Sequence, residues 1–328
     1  MRTARFIAAI LIACVRGWCA PPIVVPPDRA GDLQSALIES GRTGATVELS
    51  GVYVITNQLV TSGARIRGTL GSHLGDWNIG GTVLHFRVPP TNGCLRVTQG
   101  PTGNASVIEN VGLVFYHQTT PTESAVALDG SSYGTVLRRV LIDRPGRGLV
   151  FEPAPSGIPR SLGHRLEDIT IQSFRTAAIH APNPISTSDH YLTGLVYLKG
   201  QQGADYVTGA VAPATRPVGI DGWPNSMAVD NLLIEDCSVA IRLTQPINGR
   251  VKDLFVDNCR GVVFERGPAY GGRHYVKTFR VGILTAAAAE PRCRLATGNV
   301  RLEIQTGLQT LTTCRDGASW VNWIPPIK

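Results

Sequence analysis

The sequence has no dense Lys/Arg stripe and no aromatic-rich RNA-binding motif, so the usual footprint of a nucleic-acid partner is missing. Its formal net charge is +7, but Arg2, Arg5 and Arg16 belong to a leader-like segment, and the remaining +4 is spread over roughly 300 residues. No nucleic-acid partner is expected. The chain also lacks a Ser/Gly- or Pro-rich linker that would part it into two globular halves. It has no CxxC and no His/Cys cluster, so neither a metal nor another cofactor is expected. The apolar stretch from Phe6 to Ala13 is too short to span a bilayer as a helix.

That stretch has the form of a secretory signal. Arg2 and Arg5 precede it, and Gly17, Cys19, Ala20 and the pair Pro21-Pro22 follow. Export to the extracellular space, a cell surface or a virion surface is expected. Leu11-Ile12-Ala13-Cys14 also resembles a bacterial lipobox, which would anchor Cys14 through lipid. A third possibility is an uncleaved apolar peptide packed into a larger assembly.

What the sequence has in quantity is turn residues, with 36 Gly and 22 Pro punctuating short β-rich runs. A pattern polar–apolar–x–apolar–polar recurs as Asn110-Val111-Gly112-Leu113, Arg139-Val140-Leu141-Ile142-Asp143 and Asp168-Ile169-Thr170-Ile171-Gln172. It continues through Gly194-Leu195-Val196-Tyr197, Asn231-Leu232-Leu233-Ile234-Glu235 and Asp253-Leu254-Phe255-Val256-Asp257. Taking Val111, Val140, Ile169, Leu195, Leu232 and Leu254 as the first core positions, the periods are 29, 29, 26, 37 and 22 residues. Such units cannot bury their own apolar face, and stacking them creates a shared core. A second apolar element follows each, as in Gly148-Leu149-Val150-Phe151, Ala177-Ala178-Ile179, Val239-Ala240-Ile241 and Gly261-Val262-Val263-Phe264. Short strands without room for a crossover helix predict an all-β, right-handed single-stranded parallel β-helix. Segment 32–40 has helical spacing and predicts a short N-terminal capping α-helix over the open first turn.

The predicted organisation is a leader-like segment (1–20), an extension with the capping helix (21–44), the β-helix (45–304) with a long loop insertion near 199–228, and a C-terminal cap or tail (305–328). The helix, the run Gly44-Ala45-Thr46-Val47-Glu48-Leu49-Ser50-Gly51-Val52-Tyr53 and the ladder of coils together resemble the pectin-lyase-like β-helix superfamily, particularly its phage tailspike branch. The resemblance covers Asp28 to about Ile304. It implies the fold and a carbohydrate partner, but not a mechanism. Polygalacturonase chemistry would need an Asp-Asp pair, which is absent, and a Gly-His-Gly, where Gly163-His164 is followed by Arg165. Arg144-Pro145-Gly146-Arg147 does not reproduce the lyase pattern either.

Register supplies the first candidate site. Glu235 and Asp257 stand one coil apart in the same outward position, with Asp143 and Gln172 continuing the row. Adjacent strands lie about 4.8 Å apart. Two carboxylates so placed could be the acid and nucleophile of a retaining glycosidase, a cation site, or a solvated polar row. The second candidate is the long insertion, flanked by Asp189-His190, Asp205-Tyr206 and Asp221-Gly222-Trp223. There Trp223 would stack on a sugar ring, Asp221, Asp189 and Tyr206 would bind hydroxyls, and His190 beside Asp189 could be a base. His164 and Glu167 are further polar candidates.

Leu141, Thr170, Val196, Leu233 and Phe255 are predicted to face outward in a second row, an apolar stripe that calls for cover by the long loop or by a homotrimer. Cys237/Cys259 and Cys293/Cys314 are spaced by 22 and 21 residues, one coil each. They would form disulfides or an interior thiol ladder, leaving Cys94 unmatched. Two functions follow. One is a glycan-binding spike or adhesin, the more favoured because no complete catalytic motif is present. The other is a secreted polysaccharide hydrolase or lyase using Glu235 and Asp257.

Overall fold

The computed structural model describes residues 20–69, 81–87, 93–100, 103–115, 124–153, 161–183, 187–200, 217–242 and 249–257, with strand segments 262–264, 273–281, 293–295, 301–306 and 309–311. Side chains are described to residue 255, residue 239 excepted. Almost every strand pairs in parallel with its counterpart one coil away, from Ile23–Val25 at one end to Arg301–Thr306 at the other. The chain is a right-handed parallel β-helix.

Three walls enclose its core. The long strands, such as Val136–Asp143 and Arg165–Phe174, form two of them, because each is bent by one residue in the left-handed conformation. Asn110, Arg139 and Asp168 hold φ of 59°, 51° and 53°. Inward alternation is broken there: Leu137 and Val140 are three residues apart, yet both are buried. The third wall is a seven-stranded sheet running from Leu59–Ser62 through Leu95–Thr98, Ser124–Leu128, Arg147–Phe151, Ala177–His180 and Val218–Asp221 to Val239–Arg242. Left-handed residues mark its flanks too, at Arg144, Ser173 and Asp236 on one side and Gly134, Gly163, Asp189 and Ser226 on the other.

The predicted interior stacks form among the described side chains; Val256, predicted to continue the second stack, is in register with Ile234 but its side chain lies outside the described residues. Val111, Val140, Ile169, Leu232 and Leu254 are in one buried column, and Leu113, Ile142, Ile171 and Ile234 in the next. One member differs. Val196, not Leu195, completes the first column between Ile169 and Leu232. The register slips at Gly194, because Gly194 and Leu195 together lie opposite Asp168, whose Oδ1 accepts the Leu195 N–H at 3.1 Å. Gly194 has φ 69°, and a Cβ there would stand 2.0 Å from that oxygen, so a side chain would displace the Asp168 carboxylate and break this hydrogen bond.

The slip corrects the outward apolar row. Tyr197, not Val196, follows Thr170 and precedes Leu233. Leu141 and Thr170 are buried and Leu233 and Phe255 half-buried. The uncovered part of the stripe is therefore confined to the later coils, as an open depression of about 280 Å³ lined by Leu195, Asn231, Leu232, Leu233, Asp253, Leu254 and Phe255.

The capping helix is present as α1 (Leu33–Thr43), ended by Gly44 at φ 76°. Leu33, Ala36 and Leu37 plug the first coil. Gln34 hydrogen-bonds both the N–H and the carbonyl of Val60, at 2.8 and 3.0 Å, so its amide substitutes for a neighbouring strand at the edge of the seven-stranded sheet. Of the predicted insertion near 199–228, residues 201–216 lie outside the described residues. Strand Tyr191–Gly200 continues into its start, while Val218–Asp221 and Met227–Glu235 occupy its end as regular coil.

Candidate functional site

The seven-stranded wall carries one row of side chains on its outer face. Cross-coil register puts Val60, Arg96, Ala127, Val150, His180, Asp221 and Arg242 in line. Alternation along each strand forces them outward, since Leu95, Val126, Leu149, Ile179, Ile220 and Ile241 fill the core beside them. Ala127 and Val150 form a small buried floor, and polar groups crowd both ends.

At the first end, Arg96 bonds both Asp129 and Glu152. Its Nη1 donates to Glu152 Oε1 at 3.0 Å, and its Nη2 contacts Glu152 Oε2 at 2.7 Å and Asp129 Oδ2. Burial alone would raise the Asp129 pKa. Hydrogen bonds from the Ser131 N–H and hydroxyl, together with Arg96, outweigh it and hold the carboxyl below its usual value.

At the other end, His180 Nδ1 lies 3.4 Å from Asp221 Oδ2, and Arg242 Nη1 lies 3.6 Å from Asp221 Oδ1. Here too burial opposes ionisation of the aspartate. The imidazole, Arg242 and the charge of Arg147 reverse that and lower the Asp221 pKa. Chemically, the face offers carboxylate acceptors and guanidinium donors, partly exposed, from successive coils. That is an arrangement suited to the hydroxyls of a long polar chain lying along the solenoid.

No protein-family model matches the sequence, and no curated protein matches it. Solved structures do match. The Geobacillus virus E2 ORF18 protein superposes with a TM-score of 0.54 at 9% identity, covering 87% of this chain and 61% of that one. The enzymatically active domain of bacteriophage CBA120 tailspike protein 2 gives 0.50 at 13% identity, covering 84% and 47%. The catalytic domain of a GH87 alpha-1,3-glucanase, solved with tetrasaccharides, gives 0.50 at 10% identity, covering 87% and 57%. The chain shares the β-helix fold of tailspikes and glucanases. It spans about half to three-fifths of the length of these chains.

The β-helix separates the residues that the sequence suggested as a site. Trp223 is not a sugar platform: it is 1% exposed, sits in the core, and its Nε1 donates to the Met227 carbonyl at 3.2 Å. Strand Val218–Asp221 delivers it inward, because what reads as loop sequence is coil. Asp189 and His190 part company, since left-handed Asp189 is exposed and His190 is buried. His190 is therefore unable to serve as a base toward a ligand. Tyr206 lies outside the described residues. Among the described members of that group, Asp221 alone lies on the polar wall.

His190 belongs to an interior column. His164 and His190 stack with centroids 5.0 Å apart and planes within 5°, and Phe151 packs on His190 at 4.6 Å. His164 Nδ1 accepts the Thr135 N–H at 3.2 Å, and His190 Nδ1 accepts the His164 N–H at 3.3 Å. The protons thus reside on Nε2, which donates to Ser161 Oγ at 2.7 Å and to Thr187 Oγ1 at 2.6 Å respectively. Burial pushes His164 down to about 3, and burial with the neighbouring ring pushes His190 to about 2.

Glu235 and Asp257 are in cross-coil register, in the row Asp143, Gln172, Lys199, Glu235, Asp257. Glu235 Oε2 accepts the Tyr197 hydroxyl at 2.7 Å and faces Lys199 Nζ at 3.4 Å. The Asp257 side chain lies outside the described residues. Burial raises the pKa of Asp143 despite Arg144 and Gln172. Cys94 and Cys237 are buried, while Cys259 and Cys314 and the side chain of Cys293 lie outside the described residues.

Sequence reasoning missed Arg96, Asp129, Glu152, Arg147, His180 and Arg242. For Arg96, Asp129, His180 and Arg242 the signal was available at the residue after a core isoleucine or leucine, and for Glu152 after Phe151, but it shows only once the strands are aligned by coil; Arg147 carries no such mark. Among the described residues no three His, Cys, Asp or Glu side chains converge as a metal site, and no helix is long and apolar enough to cross a membrane.

Proposed function

We propose that this β-helix recognises a polysaccharide along the outer face of its seven-stranded wall, as a spike- or adhesin-type protein exposed on a virion or cell surface and assembled as a homotrimer. The observation that carries this reading is the polar row itself: partly exposed carboxylates and guanidiniums on successive coils, held in place by one another before any ligand arrives. Their preorganisation lowers the ordering cost of binding a flexible glycan. The shared fold with a tailspike domain and a glucanase is in keeping with it.

A glycosidase is the second reading, and the wall contains a pair that raises it. Asp129 and Glu152 contact the same guanidinium nitrogen, so their carboxylates lie within about 5 Å, near the separation of a retaining pair. Arg96 contacts both carboxylates through one nitrogen, however, and so occupies the space between them where a sugar would have to react. That supports recognition over hydrolysis.

The test is retention of the full chain on a panel of bacterial polysaccharides, with reducing ends assayed in parallel. Glu152→Ala removes a charged hydrogen-bonding group and should weaken retention by about 5- to 30-fold, or roughly 1–2 kcal/mol. New reducing ends would favour the hydrolase. Retention on none of the panel would remove the glycan reading.

A further inference from the structure

The two ends of the polar wall carry opposite charge. At the Arg96 end one guanidinium serves two carboxylates, Asp129 and Glu152. At the other end two guanidiniums, Arg147 and Arg242, act on the single carboxylate of Asp221. The excess is positive there even before any charge on His180 is counted.

The bonding at this end is also looser. Arg242 approaches Asp221 at 3.6 Å, beyond hydrogen-bond length, with 39% of its side chain exposed. Arg147 Nε is shielded from solvent without a hydrogen-bond partner. In register, Arg147 pairs with Ala177 and then Val218, on the same strands as His180 and Asp221, and its charge is felt by Asp221. A shielded donor without a partner is costly to the fold, and an anion that accepts from it recovers that cost.

We infer that Arg147, His180 and Arg242 form a subsite for an acidic substituent on the glycan: a carboxylate, sulfate or phosphate. Planar guanidiniums match all three oxyanions. Asp221 spaces the two arginines and accepts a neighbouring sugar hydroxyl. The acidic end of the wall repels the same substituent, so an acidic polysaccharide lies on the wall in one direction only. This inference rests on the glycan reading above.

The full chain is tested for binding to acidic polysaccharides beside their carboxyl-reduced, desulfated or dephosphorylated forms, which identifies the anion. Binding should drop at least tenfold on neutralisation, on raising salt, and in Arg147→Gln and Arg242→Gln with unchanged melting temperatures. Asp221→Asn should tighten binding of the acidic form, since it removes the competing charge, and misfolding cannot mimic a gain. Equal binding of acidic and neutralised forms overturns the acidic subsite and leaves the glycan reading standing. A requirement for the anion that survives both arginine substitutions overturns its assignment to this patch. Retention of no polysaccharide overturns both.

Discussion

Trp223, His164 and His190 are the polar or aromatic side chains whose surroundings most change their meaning. Trp223 fills the core, so Trp223→Ala should cost about 3–5 kcal/mol, read as a large drop in melting temperature. Glycan retention by the fraction that remains folded should be unchanged. Selective loss of retention in a fully stable variant would return Trp223 to the surface role. The histidine pair makes a pH prediction. Both rings are neutral in the fold, with pKa values depressed to about 3 and about 2, whereas in the unfolded chain they take up protons near pH 6.5. Depressed basic groups contribute stability that is present above the unfolded pKa and lost as pH falls toward the folded one. Between about pH 6 and pH 3 the pair should therefore cost up to roughly 2.7 kcal/mol per pH unit. Denaturant melts across that range should show the slope, and His190→Asn should remove about half of it. An unchanged slope would mean that the rings titrate alike in both states.

At the scale of the strand, register decides which side chains meet. The row Arg67, Glu109, Arg138 and Glu167 alternates sign across four coils, with Arg138 bridging Glu109 at 2.8 Å and Glu167 at 2.6 Å. Solvent screens these exposed pairs, so the row adds little to stability directly. Its larger effect is on pairing, since a one-residue slip would set these charges against the core face. Glu235 and Asp257 obey the same register, but Glu235 is already engaged by Tyr197 and Lys199. Glu235→Gln and Asp257→Asn should therefore leave glycan retention, and any reducing-end release, at the wild-type level. A loss of turnover with binding intact in either amide variant would instead make this row catalytic.

For the whole molecule, the open question of assembly centres on the depression formed by Leu195, Leu233 and Phe255 on the later coils. If the proposed trimer packs there, Leu233→Lys and Phe255→Lys should yield folded monomers by light scattering, because the charge enters an interface and not the solenoid core. A monomeric wild type would refute the trimer. The wall that binds glycan in the proposed reading is a different face, so these substitutions should leave per-chain retention unchanged.

Composition, turn residues and the 22- to 37-residue recurrence determined the solenoid, its capping helix and its interior columns, because burial of one face per strand leaves a periodic trace in the chain. Local pattern also placed Glu235 opposite Asp257. It misplaced Leu195, since a one-residue bulge at Gly194 depends on an aspartate one coil away and has no local signature. It read Asp221 to Trp223 as loop for a related reason: Gly and Pro around a short strand look like turn sequence until the strand has neighbours on both sides. The polar wall was decided only in three dimensions. Arg96, Asp129, Glu152, His180, Asp221 and Arg242 come from separate coils with unequal insertions between them, and only strand pairing brings those distant positions onto a common face.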